Sequence, residues 1–136
     1  MCGILFKAPD GEAIVYRNET YVAAMDRYPI TSGHVIIFPA VHEENWLTIS
    51  QEVYSEIMAF SRRLMAAIEL YTGQRTGMFF AGKAHPEHIH MHVLPIGEGL
   101  KRTFANLSVS RRIEVGINAR RSSCIGIRKF LGGIPQ

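Results

Sequence analysis

The stretch His88-Ile89-His90-Met91-His92-Val93 alternates imidazole and apolar side chains without a break, and Leu94 follows it. Successive side chains on a β-strand point to opposite faces, whereas a helix would scatter the two sets around its circumference. The segment therefore reads as a strand with Ile89, Met91 and Val93 turned to a core. His88, His90 and His92 then share the other face, about 7 Å apart along the backbone. A solvated strand face that is merely rich in histidine is the plainer alternative. The clean apolar set behind the imidazoles makes it the less favoured one.

The rest of the chain supplies partners for that strand. Ile4–Lys7 is short and apolar, and Pro9-Asp10-Gly11 is turn chemistry. Ala13–Arg17 and Thr20–Met25 read as two strands around Asn18-Glu19, followed by a loop over Tyr28–Gly33. His34–Phe38 is a further strand, stopped by Pro39. Val53, Tyr54, Ile57, Met58, Leu64, Met65, Ile68 and Tyr71 then fall at helical spacing. The pattern predicts one long amphipathic helix from Gln51 to Thr72, with Thr48 and Gln51 resembling a capping box and Gly73 as its stop. Strands resume at Thr76–Ala81 and His88–Leu94. Ile113, Val115 and Ile117, with Ile125 and Ile127 beyond Arg120-Arg121-Ser122-Ser123, read as a β-hairpin. Strands, one helix, then strands is an α+β order.

A chain of 136 residues, 47% hydrophobic and 20% charged, is sized for one domain with its own core and is not a wholly disordered chain. Its apolar runs reach about five residues, far below the roughly 20 that span a bilayer. The first residues carry no basic n-region or apolar stretch of signal-peptide length, and no lipidation signal is present. Two cysteines, Cys2 and Cys124, suit a reducing, cytoplasmic setting better than a disulfide scaffold. The net charge of +3 is unevenly spread: residues 1–100 hold seven Lys/Arg against eleven Asp/Glu, and residues 101–136 hold eight against one. The basic character belongs to the last quarter of the chain and hints at an anionic partner.

Six histidines, His34, His42, His85, His88, His90 and His92, are the chemically informative residues. His-x-His on a strand can place two imidazole nitrogens on one zinc. The same array can bind and attack phosphate, because a neutral imidazole is a nucleophile near pH 7 and neighbouring N–H groups stabilise negative oxygens. Spacing alone leaves both readings open.

The wider pattern separates them. His88-Ile89-His90-Met91-His92-Val93-Leu94 resembles the His-φ-His-φ-His-φ-φ signature of the histidine triad (HIT) family, φ being apolar. Gly33-His34-Val35-Ile36-Ile37-Phe38-Pro39-Ala40-Val41-His42 is similar to that family's upstream segment, and Asp26 with Tyr28-Pro29 stands where the family has its acidic residue. The likeness covers roughly residues 1–95. It implies a HIT-like α+β fold, an antiparallel sheet with one long helix, usually paired as a homodimer. It implies a HIT domain over residues 1–100; the likeness fades beyond that, and residues 101–136 read from their charge as a basic C-terminal extension packed on the same domain. It further implies action on a nucleoside 5′-phosphate, a purine nucleotide by preference, that carries a leaving group on its α-phosphate. In that scheme His90 is the nucleophile and forms a nucleotidyl-histidine. His92 contacts the phosphate and leaving-group side, His88 orients the cluster, His34 completes the network, and Asp26 accepts from the ribose hydroxyls. No metal and no cofactor is called for.

Departures from the family pattern are informative. Lys83-Ala84-His85-Pro86-Glu87 replaces the Gly-Gln-Ser/Thr-Val segment of many relatives, so that His85 stands where a hydroxyl would contact the phosphates. Some relatives bind a structural zinc through an N-terminal Cys-x-x-Cys; here Cys2 is followed by Leu5, and His42, the further ligand in such sites, is expected in a loop. Two other readings stay open: a nucleotide-binding regulatory module with little turnover, and a histidine metal site on the same strand. Nucleic-acid binding by the basic extension is not favoured, and no membrane partner is expected.

Overall fold

The computed structural model describes residues 13–41, 43, 45–81, 89–97, 99, 101–103, 105 and 115–135. Five strands, β1 (Ile14–Arg17), β2 (Tyr21–Met25), β3 (Val35–Pro39), β4 (Thr76–Ala81) and β5 (His90–Pro95), are joined by helices α1 (Gln51–Thr72) and α2 (Ile117–Gly132). They form one antiparallel sheet in the order β1-β2-β3-β5-β4, as the α+β reading requires. The β1–β2 turn is built by Asn18, whose side-chain oxygen accepts from the backbone N–H groups of Thr20 and Tyr21 at 2.8 and 2.9 Å. β5 lies between β3 and β4, pairing Ile36 with His92 on one side and Phe79 with His92 on the other.

The alternation of β5 holds in three dimensions. Ile89, Met91 and Val93 are fully buried. Met91 and Val93 join Val15, Ala23, Val35 and Ile37 in a core closed by Ile57, Leu64 and Ile68 of α1. Gly73 ends α1 in the left-handed conformation, φ 72°, with its N–H bonded to the Glu69 carbonyl. The N-terminus departs from the expected capping box. Ser50, not Thr48, is the cap, and its Oγ accepts from the Val53 N–H at 3.2 Å. The Thr48 hydroxyl donates to the Asn45 carbonyl and the Gln51 amide to Ser55, so neither is available for capping.

The expected hairpin around Arg120–Ser123 is instead the helix α2. Its inward positions are Arg120, Cys124, Ile127 and Leu131, a spacing of four, three and four. Ile125, counted in the strand reading as an inward residue, is 59% exposed. Cys124, Ile127 and Leu131 enter the same core as the sheet, and the Cys124 thiol donates to the Ile14 carbonyl at 3.3 Å. Burial pushes the Cys124 thiol above its ordinary pKa, against a smaller opposing pull from Arg128. Arg120 is buried too, donating through Nη1 to the Val115 carbonyl at 2.7 Å. At Gly126 a Cβ would overlap the ring of Tyr71, so the two helices meet where a side chain is absent. No helix among the described residues is long and apolar enough to cross a membrane.

Candidate active site

The site is assembled from the loop between β2 and β3 and from the histidine face of β5. The loop is tied down by its own polar groups. Asp26 Oδ1 accepts from the Tyr28 N–H at 2.8 Å, and the Asp26 N–H donates to the His34 carbonyl. Thr31 Oγ1 donates to the Pro95 carbonyl at 2.8 Å, anchoring the loop to the end of β5. Gly33 adopts φ 99°, and a Cβ there would stand 3.2 Å from Thr72 Cγ2 and 3.3 Å from Pro95 Cγ. Backbone conformation and space together demand glycine at this turn. His34 follows at once and is fully buried.

A backbone donor fixes the proton on His34. Its Nδ1 lies 3.1 Å from the Ile30 N–H and therefore accepts. A neutral imidazole that accepts at Nδ1 carries its hydrogen on Nε2. Nε2 lies 2.8 Å from Nδ1 of His92 and 3.4 Å from Oδ2 of Asp26. The shorter contact is the well-formed hydrogen bond. His92 thus accepts at Nδ1 and carries its own hydrogen on Nε2, a donor directed away from His34. With both rings neutral, Ile30 to His34 to His92 is a relay running in one direction from a main-chain amide.

The His92 ring is sandwiched further. Phe79, its cross-strand partner, stacks on it with centroids 4.4 Å apart and planes 15° from parallel. The His90 ring meets it edge-on, with centroids 4.6 Å apart. Backbone spacing along the strand is about 7 Å for alternate residues, so the two rings lean together. His90 is half-buried, and His92 is 7% exposed.

Asp26, His34 and His92 also offer ligand atoms that all lie within 4.8 Å of one another. Two imidazole nitrogens on one tetrahedral zinc would stand roughly 3.3 Å apart, given bonds of about 2.0–2.1 Å. The His34–His92 pair at 2.8 Å has hydrogen-bond geometry, and a metal would have to part the rings and displace the shared proton.

His34, His92, His90 and Asp26 are thus brought together. His88, His85 and Lys83, and likewise Cys2 and His42, lie outside the described residues. Phe79 and the Ile30 amide were not anticipated. Phe79 sits in a strand the sequence does predict, but only the β4–β5 register, which is not written locally, sets it on His92. The Ile30 amide belongs to every residue type except proline and leaves no sequence signal.

Comparison with known proteins agrees with this geometry. A family model described as protein similar to CwfJ C-terminal matches residues 6–108. A HIT-like protein of Saccharolobus solfataricus is 32% identical over 99 residues, covering 69% of this chain and 70% of that protein. A histidine triad nucleotide-binding protein of Sulfolobus tokodaii superimposes with a TM-score of 0.77 at 22% identity, over 97% of this chain and 91% of that one. A zinc-bound histidine triad family protein of Mycobacterium smegmatis gives a TM-score of 0.74 at 24% identity, over 97% and 91% of the respective chains. With its alternating histidines on a sheet buried from behind, this chain belongs to the histidine triad family.

Proposed function

We propose that this protein is a nucleotide-binding hydrolase or nucleotidyl transferase that cleaves at the α-phosphate of a purine nucleoside 5′-phosphate derivative. A phosphoramidate, a dinucleoside polyphosphate and a nucleotidylated adduct all fit that chemistry. The observation that carries the reading is the proton relay from the Ile30 amide through His34 to His92, beside the half-buried His90. It leaves His92 with a donor at Nε2 and places it next to the side chain that would attack.

In the first step a neutral His90 nitrogen forms a bond to the α-phosphorus, and the bond to the leaving group breaks. The leaving group takes the electron pair and a proton from solvent water, while the Nε2–H of His92 is suited to hydrogen-bond the departing atom and keeps its proton. In the second step water attacks the phosphorus, the N–P bond breaks with its electron pair returning to His90, and the water's proton passes to solvent, replacing the one the leaving group took, as the nucleoside monophosphate is released. A neutral imidazole suits an anionic phosphate, which repels charged nucleophiles, and positioning with charge stabilisation does most of the work. Asp26 is proposed to hold the ribose hydroxyls, His88 to orient the cluster, and His85 to meet the phosphates.

The apolar face of α1 is used within the chain, so it does not by itself offer a dimer surface. The edge strand β4 does: Phe80 there is 45% exposed and packs with Trp46 and Tyr54. A homodimer joined at that edge is part of this proposal.

Adenosine 5′-phosphoramidate tests the mechanism. Rapid acid-free quenching followed by intact mass measurement is expected to trap an adenylylated protein, with the adduct mapped to His90. His90→Ala is expected to lose at least about a thousandfold in turnover, near 4 kcal/mol of barrier. Its affinity for AMP should stay within about tenfold. Turnover by that variant at the wild-type rate would rule the scheme out. AMP binding without turnover of any substrate by the wild type would favour the regulatory module, which the altered loop at Lys83–Glu87 motivates.

A further inference from the structure

On the opposite side of the sheet from the histidines, β1, α1 and α2 enclose a solvent-open cavity of about 500 Å³. Each of the three elements contributes one arginine to its lining: Arg17 from β1, Arg63 from α1 and Arg128 from α2. No carboxylate lines the cavity, and none among the described residues forms an ion pair with these three arginines. The Nε–H of Arg63 is buried with no acceptor among the described residues, while its guanidinium carbon lies 6.0 Å from the Phe60 ring centroid. Tyr16 stacks against the other aromatic surface here, 5.1 Å from Phe60 and 25° from parallel, and is 38% exposed at the rim. Leu131 closes the floor.

Three arginines lining one cavity and a buried unmatched donor, with no carboxylate among the described lining residues, form a site for a negative ligand. Guanidinium forks match phosphate oxygens in geometry as well as charge. The volume falls in the roughly 300–1,000 Å³ range of small-molecule sites. An aromatic ring and a leucine beside the arginines suit an organic body better than a bare ion. The site is separate from the histidines: β1 stands three strand spacings from β5, roughly 14 Å, and the cavity opens on the other face. It also divides the basic last quarter of the chain by role. Arg120 is buried in a main-chain hydrogen bond, whereas Arg128 reaches the cavity.

We propose that this cavity is a second ligand site, which binds a small phosphate-bearing organic molecule. Its phosphate lies among Arg17, Arg63 and Arg128, and its organic part rests on Tyr16 and Leu131.

The test is a ¹H–¹⁵N NMR titration of the full chain with phenyl phosphate and, separately, inorganic phosphate. Saturable shifts at Arg17, Arg63 and Arg128 are expected with phenyl phosphate, together with slowed exchange of the Arg63 Nε–H. Phenyl phosphate should bind there several-fold more tightly than inorganic phosphate. The variant combining Arg17→Gln and Arg128→Gln changes two exposed side chains, and its fold is checked by a ligand-free spectrum unchanged outside the cavity. It should weaken binding at this site at least tenfold and leave ligand-induced shifts around His92 as they were. Arg63→Lys, which keeps the charge and deletes the Nε–H, should weaken it as well. Shifts confined to the histidine site, shifts that do not saturate, or unchanged affinity in the double variant would each overturn the proposal. Equal affinity for the two probes would overturn the assignment of Tyr16 and Leu131.

Discussion

The two faces of the sheet are made by the same strands and do different work. On the helix side, Met91 and Val93 of β5 lie under α1 in a wholly apolar core. One residue away on the other side, His90 and His92 meet Phe79 and His34 through ring contacts and a hydrogen bond. The strand's period of two thus separates stability from chemistry by a single step along the chain. His34 is the point where the separation fails. It lies on the histidine face yet is as buried as any core residue, because the turn at Gly33 and the Ile30 amide fold over it.

Neighbours on β5 give the sharpest contrast. Met91→Ala should lower unfolding free energy by about 2–5 kcal/mol and leave the folded fraction fully active. His90→Ala, which abolishes turnover in the scheme above, should change it by less than about 1 kcal/mol. Urea unfolding of the two variants measures this, and equal losses would break the comparison between faces.

His34→Ala should be the exception that affects both. It orphans the Ile30 N–H and removes the donor to His92 Nδ1, at a cost of about 2 kcal/mol. The diagnostic reading is the ¹⁵N spectrum of His92. The wild-type ring should be protonated at Nε2, and the variant should show a mixture of tautomers with at least about tenfold less turnover. A variant that retains a pure Nε2–H signal would show that His34 does not set the proton.

The smallest effect belongs to the helix side alone. Burial, reinforced by Tyr16, pushes the Tyr21 phenol from 10.0 up to about 12. Below pH 10 the group is protonated in both folded and unfolded chains and adds no pH dependence. Between pH 10 and 12 the unfolded chain loses the proton first, so stability falls, by about 1.4 kcal/mol at pH 11. Tyr21→Phe should flatten that part of the alkaline stability profile without moving activity near neutrality.

How much could be read in advance follows from how local each signal is. The body and C-terminal end of α1 are encoded in its apolar spacing and Gly73, whereas its cap falls on Ser50 and not on Thr48; the alternation at Ile89–Val93 fixes both the strand and its orientation. α2 was misread because two of its inward positions are Arg120 and Cys124. An arginine buried through a main-chain hydrogen bond carries no apolar signal, and the outward Ile125 supplies a false one. In the site, Asp26, Gly33 and His34 announce themselves by residue type. The stacking of Phe79 on His92 depends on cross-strand register, a long-range property that no local window contains.

The wedged turn at Gly33 also imposes an order on synthesis. Its neighbours are Thr72 at the end of α1 and Pro95 at the end of β5, and the Thr31 hydroxyl needs the Pro95 carbonyl. On a ribosome adding about 5–20 residues per second, His34 emerges long before the surfaces that hold it. The relay to His92 cannot exist until β5 has been translated and inserted beside β3, so a nascent chain passes through most of its growth with the His34 proton unassigned.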